Sequence, residues 1–82
     1  MKTLNEAIID QLNFFMGKLE ISQYELAQLS GVPYPTIKSI MQRRTKGITL
    51  KTIILLSHGI GITASEFLGQ DSFLYDNLEL DL

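Results

Sequence analysis

Residues 22–44 leave the backbone little choice. Ser22 followed three positions later by Glu25 is a capping box, in which each side chain satisfies a backbone N–H left unbonded at a helix start. Ile21 and Leu26 stand where a hydrophobic staple closes such a start. Gly31 ends that helix by turning left-handed, a conformation that costs other residues more. Ala27, four residues earlier, offers a small side chain where two helix backbones approach. Leu26, Val32, Ile37 and Ile40 place apolar groups on both sides of the turn. Two short helices joined in this way form a helix-turn-helix, whose second member is shaped to enter the DNA major groove.

The remaining chain reads as further helices. Thr3 and Glu6 make a second capping box, and Leu4, Ile8, Leu12, Phe15 and Leu19 recur at three- or four-residue steps. That spacing predicts a first helix ending near Lys18, with its last turn weakened by Gly17. Pro33 and Pro35 flank Tyr34 at the entrance of the third helix. A residue before proline avoids helical angles, so the expected start is Pro35 and the end is near Gln42. After a loop from Arg43 to Ile48, Thr49 is the expected N-cap of a fourth helix running to about His58. Leu50, Ile53 and Leu56 form its buried face and Gly59 is its stop. Thr63 and Glu66 form a third capping box, with Ile62 and Phe67 as staple, for a short fifth helix ending at Gly69. The segment from Gln70 to Leu82 mixes acids with Phe73, Leu74, Tyr75, Leu78, Leu80 and Leu82, and either folds over the domain or stays disordered. No strand pattern, internal repeat or low-complexity segment is present.

Charge is asymmetric. The net charge is only −2. Yet residues 33–51 carry Lys38, Arg43, Arg44, Lys46 and Lys51 and no acid, a local +5. Residues 66–82 carry Glu66, Asp71, Asp76, Glu79 and Asp81 and no base, a local −5. Binding to phosphates depends on such local surfaces rather than on the sum. The chain has no cysteine and one histidine, so disulfides, thiolate sites and a zinc site are not expected. His58, near a helix C-terminus, suits the helix dipole. Neighbouring Ser57 is not a catalytic partner, because adjacent helical residues face apart. No paired carboxylates or phosphate-cradling glycine loop appear, and no enzyme activity or cofactor is expected. No apolar run approaches the roughly 18 residues of a membrane span. A cytoplasmic location is expected.

Ile21-Ser22-Gln23-Tyr24-Glu25-Leu26-Ala27, Ser30-Gly31-Val32-Pro33 and Thr36-Ile37-Lys38-Ser39-Ile40 are followed by Thr49-Leu50-Lys51-Thr52-Ile53 and by Gly59 to Leu68. In this order and spacing, these pieces resemble the Cro/repressor (Xre-like) helix-turn-helix family, the lambda-repressor-like DNA-binding domain, from about Leu4 to Gly69. The resemblance implies an all-α, compact five-helix bundle over residues 1–69, with residues 70–82 as an acidic, apolar tail outside the family pattern. It also implies dimeric operator binding and a regulatory role in transcription. Gln23 matches the family's glutamine that touches a DNA phosphate. Tyr34, Pro35, Thr36, Lys38 and Ser39 match positions facing the groove. The chain departs from the family at Arg43, where glycine is frequent, and at Ile54 and Leu55, where relatives often carry polar residues.

The expectations are therefore concrete. Tyr34, Pro35, Thr36, Lys38 and Ser39 are base-reading candidates. Lys38 suits guanine O6 or N7, and Tyr34 either packs on a thymine methyl or only covers the bundle edge. Gln23, Arg43, Arg44, Lys46 and Lys51 are phosphate candidates. Ile54 and Leu55 either complete the core or join Phe73, Leu74 and Leu78 in a dimer patch. A homodimer on double-stranded DNA, with half-sites about 10 bp apart, is the expected assembly. No membrane partner and no small-molecule effector are indicated. A second reading is a protein-interaction module or antitoxin-like subunit that keeps the helix-turn-helix shape.

Overall fold

Helix starts in this chain are set by side chains that bond the first-turn N–H groups. The computed structural model, which describes residues 2–80, has these bonds where the sequence places them. Five α-helices form: α1 (Leu4–Leu19), α2 (Gln23–Ser30), α3 (Tyr34–Met41), α4 (Leu50–Ile60) and α5 (Ala64–Leu68). Thr3, Ser22 and Thr63 complete reciprocal capping boxes with Glu6, Glu25 and Glu66. Thr49 caps α4 through Thr52 N–H at 3.2 Å. Among the described residues the protein is all-α but for one short pairing.

Helix ends follow from left-handed residues, and here several expectations are corrected. α1 runs through Gly17 and Lys18 to Leu19, and Glu20 takes the left-handed turn at φ 56°. Ile21 N–H then donates to the Met16 carbonyl at 3.0 Å, closing the last turn. Gly31 ends α2 as expected, at φ 78°. α3 starts at Tyr34, one residue before the expected Pro35. The Pro33 carbonyl accepts from Thr36 and Ile37 N–H at 3.0 and 3.1 Å, and the N–H that Pro35 lacks falls in the first turn, where none is needed. α4 does not stop at Gly59 but continues to Ile60, with Gly61 at φ 91° as its cap.

Gly59 has a different task. A Cβ on it would lie 2.7 Å from Ser30 Cβ and 2.9 Å from Ser30 Cα and N. α2 and α4 thus touch backbone to backbone at this point, and only glycine fits. Ala27, on the same helix, is half-buried and packs against the core.

The core is one aliphatic cluster with a single buried phenylalanine. Leu12, Leu26, Ile37, Leu56 and Phe67 are its fully buried members, each contributing on the order of 1.5–3 kcal/mol of burial. The buried face of α1 is Ala7, Ile8, Ile9, Leu12 and Met16. The expected stripe therefore holds at Ile8 and Leu12, while Leu4 and Leu19 at its ends are 42% and 45% exposed. α4 buries Ile53, Leu56, Ser57 and Ile60, whereas Leu50, expected inside, is 64% exposed. The Ser57 hydroxyl is satisfied by donating to the Ile53 carbonyl at 2.7 Å.

The acidic segment after Gly69 folds back over the bundle. Two 3-10 turns, Asp71–Phe73 and Tyr75–Asn77, lead to a strand, Leu78–Glu79 (β2), that pairs in parallel with Lys2–Thr3 (β1). Phe73 packs against Phe67, ring centroids 6.0 Å apart. Leu78 is only 8% exposed, which corrects its assignment to a dimer patch: its side chain is spent inside its own fold. Asp81 and Leu82 lie outside the described residues.

Candidate nucleic-acid interface

The outer face of α3 is set by its inner one. Ile37 and Ile40 point into the core, so helical geometry turns Tyr34, Pro35, Thr36 and Lys38 outward. All four are exposed, and Ser39 is half-buried. Among the described residues, neither the rest of the bundle nor the folded-back segment covers this face.

Tyr34 is braced. Tyr24 on α2 meets it edge to face, with ring centroids 5.8 Å apart at 72°. Such pairs favour one relative orientation of the two rings. Tyr24 is itself 58% exposed and lies on the same side as Tyr34. Sequence reasoning passed over it, although an aromatic in an otherwise polar turn of α2 was a visible signal. Gln23 is half-buried at the first position of α2.

The loop after α3 carries the cations. Arg43 sits at φ 61°, in the position where glycine commonly ends a helix. The turn closes by two bonds, Arg43 N–H to the Ile40 carbonyl at 3.0 Å and Arg44 N–H to the Ser39 carbonyl at 2.9 Å. The loop beyond is held from a distance. Asn5 on α1 donates its side-chain amide to the Thr45 and Lys46 carbonyls at 2.9 and 3.1 Å. Sequence reasoning missed Asn5 as well, since a polar residue in a first turn has no feature that announces a distant partner.

The electrostatics are open. Arg43 lies 3.6 Å from Glu6 on α1. The Glu6 carboxyl is held below its ordinary pKa, chiefly by the Thr3 backbone N–H, then by the Thr3 hydroxyl, with Arg43 adding to the effect. Lys38, Arg44, Lys46 and Lys51 are exposed and form no ion pair among the described residues. Exposed cations without acidic partners attract polyanions. Of the apolar candidates, Ile54 and Leu74 are exposed, while Leu55 and Phe73 pack against the core.

Arg43 carries a backbone cost that glycine would not. Arg43→Gly is expected to stabilise the fold by about 1 kcal/mol, the order of the left-handed penalty. That corresponds to a rise of roughly 4–8 °C in the unfolding midpoint. Calorimetry checks this, and a lowered midpoint would mean that the contact with Glu6 outweighs the strain.

No protein-family model, curated protein or solved structure matches the chain at a significant level.

Proposed function

We propose that the protein is a sequence-specific regulator of transcription that presents α3 to the major groove of double-stranded DNA. One observation carries the reading: the exposed face of α3 is bordered by Lys38, Arg44 and Lys46, cations with no acidic partner among the described residues. A helix about 10–12 Å across matches a groove about 12 Å wide. In this pose α2 and α3 act as a helix-turn-helix of the lambda-repressor-like type. Tyr34, Pro35, Thr36, Lys38 and Ser39 face base edges, and Lys38 suits guanine. Gln23, Arg43, Arg44, Lys46 and Lys51 lie towards phosphates. Phosphate contacts fix the pose and base contacts select the sequence. So small a domain makes few contacts, and two copies on a two-fold site supply the rest.

The test is a titration of the protein with the DNA upstream of its own gene at several salt concentrations. Four or five neutralised phosphates per subunit predict a log–log slope of roughly −3.6 to −4.5 per bound subunit. Arg44→Ala and Lys46→Ala are each expected to flatten it by about 1 without altering base preference. A second reading, a partner-binding module, is favoured by Leu50 and Ile54, exposed one turn apart on α4. Absence of binding to any duplex at low salt supports that reading and overturns the first.

A further inference from the structure

Tyr34 opens α3, and the chain restrains it from three directions. Pro33 fixes the backbone that enters it, at φ −56° and ψ 139°, and the Pro35 ring fixes the residue that follows. The side chain is held as well. Tyr24, on α2, meets it edge to face, with ring centroids 5.8 Å apart and ring planes at 72°. The two rings are not part of the core: Tyr24 is 58% and Tyr34 38% exposed. They meet in water, at the first residue of the helix proposed to enter the groove. A side chain already held in one geometry loses less freedom on binding, and such preorganisation adds affinity for the partner that fits that geometry.

The place of Tyr34 limits what it can read. The N-terminal residues of a recognition helix contact base edges. Adenine, guanine and cytosine present hydrogen-bonding groups to the major groove, and thymine adds an apolar one, its C5-methyl. An aromatic ring suits that methyl by apolar contact. We infer that Tyr24 is a positioning residue for base selection: it holds the Tyr34 ring where that ring packs on a thymine methyl. Tyr24 acts through Tyr34 and touches no base itself. This role rests on the DNA-binding reading. A site for this protein then carries a thymine facing the start of α3, one in each half of a two-fold site.

The contact is tested first in the free protein. Magnetic resonance of the full chain with ¹³C-labelled tyrosine rings is expected to show the Tyr34 signals displaced from those of Tyr75, which stands 80% exposed. Tyr24→Phe, which keeps the ring, preserves the displacement, and Tyr24→Ala removes it. Unchanged Tyr34 signals in Tyr24→Ala overturn the brace.

The second experiment titrates the full chain with the DNA upstream of its own gene, prepared once with thymine and once with uracil, which pairs alike but lacks the methyl. One buried methyl is worth about fourfold in affinity per subunit. Tyr34→Ala is expected to lose a thymine preference of that size, Tyr24→Ala to lose most of it, and Tyr24→Phe to keep it. Loss of folded protein weakens binding to both duplexes alike, so the ratio reads positioning rather than stability. The salt slope is expected to stay that of the parent, since no charge is removed. The parent's thymine preference retained in Tyr24→Ala overturns the role of Tyr24, and retained in Tyr34→Ala it overturns the methyl contact. Either result leaves the DNA-binding reading standing. Failure of the parent to bind either duplex overturns that reading and the base-selection role with it.

Discussion

Phe67→Ala is expected to remove about 3–5 kcal/mol of stability, the usual range for a buried phenylalanine. A chain of this length has roughly 4–12 kcal/mol in all, at about 0.05–0.15 kcal/mol per residue. A large share of the fold's margin, about a quarter at the least, therefore lies in one ring. Phe67 is fully buried between Phe15, whose centroid is 6.5 Å away, and Phe73, at 6.0 Å. Its carbonyl also accepts from the Gln11 side chain at 3.3 Å. α5 is only five residues long and cannot persist without packing. Loss of the ring frees α5, and with it the Phe73 contact that seats the acidic segment. Thermal melts followed by circular dichroism should show a broad transition or none. A midpoint within a few degrees of the parent would mean that this ring is not the anchor.

The second large effect is expected at Gly59. Gly59→Ala adds one methyl group where Ser30 backbone atoms lie 2.9 Å away. Neither backbone can rotate aside, so α2 and α4 must separate. Overpacking of this kind costs about 1–3 kcal/mol. Alanine regains up to about 1 kcal/mol of helix propensity, which partly offsets the loss. A net loss of about 1–2 kcal/mol corresponds to a drop of roughly 4–16 °C in the midpoint. The displacement is also functional on the proposed reading, because Gly31 and α3 follow directly from Ser30. A variant with a higher midpoint would show that the two helices can part without cost.

These two residues mark the boundary of what local pattern reveals. The capping boxes at Thr3, Ser22 and Thr63 were legible because their partners lie three residues apart. The stop at Gly31 was legible because a glycine after a helical period has few other uses. Gly59 fits that same pattern, yet its reason is Ser30, a neighbour only in space. Leu50 was misread because periodicity marks apolar positions without saying which remain uncovered. Pairing of Lys2–Thr3 with Leu78–Glu79 is a backbone event between distant segments, with no side-chain pattern to signal it. For the same reason Leu78 looked available to a partner when it was already buried. At the candidate interface the cationic run was plain, since charge is a property of composition. The clamp from Asn5 was not, because it needs α1 and the loop after α3 to be brought together.

The Tyr24–Tyr34 pair gives this molecule an intrinsic optical reporter. The chain has no tryptophan and three tyrosines, so its near-ultraviolet emission comes from phenol rings alone. Two of the three stand in contact beside the outward face of α3. A polymer laid over that face changes their quenching directly, with no dye attached. Tyr75, far out in solvent at 80% exposure, supplies a steady background against which the change is read.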